Sequence, residues 1–161
     1  MLHDICVGKT GTITKGLLNV MKMQFCSDPM VHENDGALFF ADDLEVQAEL
    51  KEIIKEAIIS NTDVRIEAND AADIPVYEPC GQELEVAFIR FLMENNEDVH
   101  NAFINRNRNA AKIVQLPFDQ ALKRKVVVRR VQGDPTQVRV YVKGAPEYII
   151  PLCNETFDHQ M

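Results

Sequence analysis

The chain has 161 residues, of which 46% are hydrophobic and 26% are charged, and its formal net charge is −8. This length predicts one domain with one core, and the sequence has no run of about 18 apolar residues that would predict a membrane span. The acidic balance argues against general nucleic-acid binding, which favours basic surfaces, and four scattered cysteines without a C-x-x-C pair argue against a zinc site or a disulfide framework.

The first half of the chain predicts one strand and one long helix. Residues 8–16 are rich in Gly and Thr and predict a loop, and the alternating residues 18–25 predict a strand. Apolar residues recur at helical spacing over 42–59, with an aspartate available to cap the start. The mixed stretch 61–82, with two prolines and a glycine, predicts a long loop that has room for one short strand.

The second half predicts two helices and then a run of strands. Expected helices cover 83–95 and 97–105, β-branched runs predict strands at 112–116, 125–131 and 137–143, and a short helix is expected to start at Pro146. Alternation in the last strand places Val138, Val140 and Val142 on one face and Arg139, Tyr141 and Lys143 on the other. The predicted fold class is therefore α+β, a mostly antiparallel twisted sheet with helices packed on it.

Two short motifs carry the most specific information. Residues 8–14 read Gly-Lys-Thr-Gly-Thr-Ile-Thr, and residues 143–147 read Lys-Gly-Ala-Pro-Glu. The first resembles the Asp-Lys-Thr-Gly-Thr-(Leu/Ile)-Thr phosphorylation motif of P-type ATPases, and the second resembles a motif in the nucleotide-binding domain of the same family. The two stand in the order and at the spacing of that family, so the chain resembles the nucleotide-binding segment of a cation-transporting pump.

The resemblance implies a phosphorylation loop that lacks its nucleophile. Pumps of this family transfer a phosphoryl group from ATP, with Mg²⁺, to an aspartate, and Gly8 stands at that position. Lys9 and Thr10 match the residues that assist the transfer. Gly8 has three interpretations, namely a sequence error, an engineered change, and a naturally silenced relative.

Gly8-Lys9-Thr10 also resembles the end of a Walker A loop, G-x-x-x-x-G-K-[ST]. That motif needs a glycine where His3 stands, a hydrophobic strand before the loop and a helix after it. The sequence therefore favours the P-type interpretation over the P-loop, and a simple Gly/Thr turn is the alternative without function.

The resemblance also implies an ATP site in the second half of the chain. Glu85 falls on the glutamate that contacts adenine in relatives, Phe118 on the phenylalanine that stacks on it, and Lys123 on a lysine that lines the pocket. Lys143 would bind the phosphates, and Gly144 lets the backbone approach the ligand. Taken alone, Glu85 also suits the first turn of a helix, Phe118 suits a core, and Lys123 suits a solvated surface.

The resemblance implies two parts, a remnant of the phosphorylation-domain loop at 1–16 and a nucleotide-binding domain at 17–161 that is incomplete at its C-terminus. Expected partners are ATP with Mg²⁺, whose protein ligands would lie elsewhere, and the phosphorylation, actuator and transmembrane domains of a pump. The parent protein would be a membrane protein with this segment on the cytoplasmic side, and no nucleic acid or metal site of the chain's own is expected. The alternative function is a non-catalytic nucleotide-binding module or an inactive remnant.

Overall fold

The computed structural model describes residues 5–24, 31–33, 48–69, 76–131 and 133–155. Seven strands and four helices occur in these ranges: β1 Lys22–Gln24, β2 Val31–Glu33, α1 Ala48–Ser60, β3 Arg65–Asn69, β4 Val76–Cys80, α2 Glu83–Glu94, α3 Val99–Asn109, β5 Lys112–Asp119, β6 Arg124–Val131, β7 Asp134–Gly144 and α4 Pro146–Ile149. A single 3₁₀ turn, Ile150–Leu152, follows α4. The predicted starts of the long helix at 42–47 and the turns at 26–30 and 34–37 lie outside the described residues.

The strands form three antiparallel units. β1 pairs with β2, β3 pairs with β4, and β5, β6 and β7 form a three-stranded meander in that order. The predicted α+β class with an antiparallel sheet and packed helices is confirmed. The prediction of a long loop over 61–82 is wrong in part, because this stretch holds the β3–β4 hairpin, in which Pro79 is paired with Ile66.

The core forms around α2. Ile89, Phe91 and Leu92 on this helix are almost fully buried, and they pack with Ile59 at the end of α1 and Val99 at the start of α3. Apolar side chains in such a core each contribute about 1.5 to 3 kcal/mol by leaving water. This packing fixes the ends of α1 and α2, and those ends carry the polar residues described below.

Local signals set the helix boundaries. The Asp98 carboxylate caps α3 by accepting a hydrogen bond from the Asn101 amide at 3.0 Å, as expected of an N-cap aspartate. α2 ends at Glu94 and is followed by the C-cap Asn95 and by Asn96, which has a φ of 60°, a conformation that asparagine tolerates better than most residues. Pro146 opens α4, as predicted.

The two faces of the meander differ. On β6, Lys125, Val127 and Arg129 are buried, as is Tyr141 on β7. Lys125, Arg129 and Tyr141 make hydrogen bonds to residues of α1 and α2. The opposite face of β7 carries Val138, Val140 and Val142, each 40% or more exposed. The predicted alternation of β7 is thus confirmed, with its polar face directed inward.

Candidate functional site

Glu85 is a charged residue buried at the start of α2, with 3% of its surface exposed. One of its oxygens, Oε2, accepts hydrogen bonds from the Thr62 hydroxyl at 3.0 Å and the Asp63 amide at 2.7 Å. The other, Oε1, accepts from the Lys125 ammonium at 2.9 Å and also from Lys143. Because a carboxylate offers about four acceptor positions, these four donors satisfy Glu85 completely.

These donors make Glu85 a stronger acid than an ordinary glutamate. Burial alone would raise the pKa of Glu85, but the bonds from Lys143, the Asp63 amide and Lys125 outweigh it and lower the pKa from 4.5 to about 2. Burial also lowers the pKa of Lys143 by more than its bond to Glu85 raises it. Glu85 is therefore a carboxylate that stays ionised. Lys143, its partner, remains accessible to solvent, because 28% of its side chain is exposed.

A second carboxylate completes the cluster. Asp63 binds the Lys125 ammonium at 2.5 Å and accepts a hydrogen bond from the Gln115 side-chain amide at 2.8 Å. Burial would raise the pKa of Asp63, and the bonds from Lys125 and Gln115 lower it below its usual value. Lys125, with 3% of its side chain exposed, thus lies between two carboxylates.

The segment after α1 is held in place by two arginines. Arg106 donates to the carbonyl oxygens of Ile59 at 2.9 Å and Thr62 at 3.4 Å, and Arg129 donates to that of Ser60 at 3.2 Å. Cations are favourable at the C-terminal end of a helix, where carbonyl groups lack partners within the helix. The arginines therefore fix the position from which Thr62 and the Asp63 amide reach Glu85.

A pocket of about 350 Å³ opens beside this cluster, which is within the size range of small-molecule sites. Its apolar lining consists of Ala57, Ile58, Phe88, Val140 and Val142, and its polar lining consists of Asn61, Thr62, Glu85, Tyr141 and Lys143. A mainly apolar wall with a few convergent polar groups is typical of a ligand site.

The structure brings some of the expected site residues together and leaves others apart. Glu85 and Lys143 line one pocket. Phe118, which is 53% exposed on β5, and Lys123, whose ammonium binds the side chain of Gln120 at 2.7 Å in the β5–β6 turn, are not among the residues that line it. Gly144 ends β7 opposite Arg124, where an added Cβ would lie 2.9 Å from the Arg124 Cβ and closer still to the Lys123 carbonyl oxygen.

The loop at 8–14 is a wide, exposed turn. The Thr14 amide donates to the Lys9 carbonyl oxygen at 3.1 Å, and Thr10 and Gly11 inside the turn have non-helical dihedral angles. Gly8 is extended, with a φ of −64°. The structure therefore confirms the loop prediction and places Lys9 and Thr10 on the surface, outside the pocket lining.

Sequence reasoning missed several polar residues of this region, namely Asn61, Thr62, Asp63 and Lys125. One signal was available for Lys125, because strand alternation puts it on the same face as Val127 and therefore inside. The segment 61–63 carries no such pattern, and its role depends on contacts with residues far along the chain.

The comparison with protein families agrees with these observations. The family described as P-type ATPase, cytoplasmic domain N, matches residues 49–160. This chain belongs to the P-type ATPase family. The match includes Glu85, Lys143 and all of the pocket lining described above.

Individual relatives are distant in sequence but match along almost the whole chain. This chain is 27% identical over 157 residues to calcium-transporting ATPase 10, plasma membrane-type, of Oryza sativa subsp. japonica, and the match covers 96% of it. It is 29% identical over 164 residues to a sodium/potassium-transporting ATPase subunit alpha of Drosophila melanogaster, covering 95% of it. The chain spans about 14% of the length of each of these relatives.

Among the described residues, no helix is both long enough and apolar enough to span a membrane. The same residues contain no group of three or more His, Cys, Asp or Glu side chains that could hold a metal ion.

Proposed function

We propose that this chain is the ATP-binding segment of a cation-transporting P-type ATPase, in which Gly8 occupies the position of the phosphorylated aspartate. The observation that carries the proposal is the contact between Glu85 and Lys143. These residues belong to two separate motifs of the family, 58 positions apart, and they line one pocket of suitable size. ATP bound there would supply the phosphoryl group in a complete pump, and this chain alone would be inactive.

The residues of the pocket suit a nucleotide. Phe88 and Ile58 offer apolar surface for a base, and Lys143 is a cation whose side chain is long and partly exposed, as binding of a triphosphate requires. Glu85 keeps Lys125 as a partner when Lys143 turns toward phosphate. Phe118 on β5, Lys123 in the β5–β6 turn and Gly144 at the end of β7 remain proposed contacts.

Magnesium would enter as the complex with ATP. Glu85 lines the pocket and shares Lys125 with Asp63, so both carboxylates are bonded to ammonium groups. Carboxylates that are already paired with lysines are poor ligands for a metal ion, so the phosphates of ATP would hold Mg²⁺. Lys9 and Thr10 would face the γ-phosphate in the assembled pump.

A titration of the chain with ATP, followed by two-dimensional amide NMR, tests the proposal. We expect shifts clustered at Glu85 and Lys143 and a dissociation constant in the millimolar to sub-millimolar range. Dispersed peaks that do not respond to ATP would identify an inactive remnant instead. A nucleotide-binding module without a pump would bind ATP equally well, and the domains attached to the segment in its native protein would distinguish the two.

A further inference from the structure

Asn61 lies just beyond the end of α1 and lines the pocket. Only 5% of its surface is exposed, and its side-chain oxygen Oδ1 is buried. Among the residues that the structure describes, none donates a hydrogen bond to this oxygen. The backbone amide of Asn61 donates to the Ala57 carbonyl oxygen at 3.1 Å.

A buried acceptor without a partner is unusual and costs about 1 to 3 kcal/mol. One other buried side-chain atom in the described ranges lacks a partner, Arg106 Nε, and Arg106 does not line the pocket. Asn61 thus combines an unmet side-chain acceptor with a place among the residues that line the cavity. A ligand that donates a hydrogen bond would remove the cost.

We propose that Asn61 is the base-reading residue of the pocket, and that its Oδ1 accepts a hydrogen bond from the exocyclic amine of adenine. This inference rests on the proposed function and adds to it the residue that selects the base. Asparagine amides are well matched to the polar edge of adenine. Phe88 and Ile58 line the same pocket and supply apolar surface for the ring.

Glu85 is less available for this task in the structure. Its four acceptor positions are occupied by Thr62, the Asp63 amide, Lys125 and Lys143, so a position opens only when Lys143 leaves. Asn61 Oδ1 has no hydrogen-bond partner to lose, and a small rotation of its buried side chain would present it to a ligand. Since the amine of adenine carries two N–H donors, Glu85 can accept the second one after Lys143 has turned to the phosphates.

The test compares two ligands, ATP and the triphosphate of purine riboside, which lacks the exocyclic amine. We expect the unaltered chain to bind ATP about tenfold more tightly than the second ligand. Asn61→Leu, which keeps the branching at Cγ and removes the acceptor, should abolish most of that ratio. Asn61→Asp, which keeps an acceptor oxygen, should retain a preference for ATP even if both affinities change.

The matched control is Asn105→Leu, an exposed asparagine on α3, which should leave both affinities unchanged. Amide spectra of each variant verify that the fold is intact. An Asn61→Leu variant that is folded, binds ATP and keeps the full ratio would overturn the inference and leave the proposed function standing. If the unaltered chain binds neither ligand, the proposed function fails and the inference fails with it.

Discussion

Lys125 on β6 and Lys143 on β7 are cross-strand partners, and both ammonium groups donate to the same oxygen of Glu85. Two like charges side by side on a sheet repel, and the carboxylates of Glu85 and Asp63 compensate for this. The two lysines differ in access to solvent, since Lys125 is buried and Lys143 is partly exposed. Lys143 is therefore the one that can leave for a ligand.

Lys143→Ala should weaken ATP binding about tenfold or more, because a hydrogen bond to a charged group contributes about 1.5 to 3 kcal/mol. The fold should survive, since Glu85 keeps its bonds to Lys125, Thr62 and the Asp63 amide. Titration calorimetry measures the affinity. Lys112→Ala, which removes an exposed lysine on β5, is the control, and an unchanged affinity in Lys143→Ala would remove Lys143 from the site.

Acid should destabilise the chain through Glu85. Its pKa is about 2 in the folded chain and near 4.5 when unperturbed, so the folded state favours the charged form. The resulting stability is fully present above pH 4.5 and is lost as the pH falls from 4.5 toward 2. The contribution is on the order of 3 kcal/mol, because each pKa unit corresponds to about 1.36 kcal/mol.

Glu85→Gln isolates this contribution from that of the other carboxylates. The variant should be less stable at neutral pH, because Lys125 loses one of its two partners in a buried position. Its stability should depend less on pH between 4.5 and 2 than that of the unaltered chain. Urea unfolding at several pH values measures both. Glu52→Gln, on an exposed residue, should change the free energy of unfolding by less than about 0.5 kcal/mol, and equal pH slopes for Glu85→Gln and the unaltered chain would contradict the argument.

Gly144→Ala should separate the ends of β6 and β7, since the new Cβ would overlap the Lys123 carbonyl oxygen and crowd Arg124. We expect a loss of stability of about 2 kcal/mol and weaker ATP binding, because Lys143 is the preceding residue. Gly8→Ala is the matched control. A Cβ at Gly8 meets only the Thr12 hydroxyl, at an ordinary 3.7 Å, so a thermal melt of Gly8→Ala should match that of the unaltered chain. If Gly144→Ala unfolds at the same temperature as the unaltered chain, the predicted clash between β6 and β7 does not exist.

Arg129→Met should lower the free energy of unfolding by about 2 kcal/mol. Arg129 is buried and donates to the carbonyl oxygens of Ser60 and Ala110, and methionine leaves both without that donor. The midpoint of urea unfolding measures the effect. Arg108→Met, at an exposed position of α3, should cost little, and similar midpoints for the two variants would show that Arg129 does not hold the end of α1.

Much of the fold was accessible from local patterns. The apolar stripe of α2, the β-branched runs of β6 and β7 and the proline at the first position of α4 each predicted an element that the structure contains. The β3–β4 hairpin was missed because its strands are polar and include Pro79, which disfavours a strand by the usual rules. Its pairing is supported by the tertiary contacts of Ile66 with the core.

The site was accessible only in part. Family motifs indicated Glu85 and Lys143, which do line one pocket. They also indicated Phe118 and Lys123, which lie on a strand and a turn outside that lining. A motif identifies a residue but does not determine where its side chain points. The charge cluster was not predictable, since Lys125 meets Glu85 across 40 positions and Asp63 across 62.

The meander of β5, β6 and β7 joins strands that follow each other directly in sequence, whereas the pocket joins segments from both halves of the chain. Contacts between near neighbours form quickly, and distant contacts must first overcome the entropy of closing a long loop. The meander can therefore form early, and the bonds around Glu85 should be among the last to form. Ligand binding at this pocket would then report that folding is complete, which secondary structure alone cannot do.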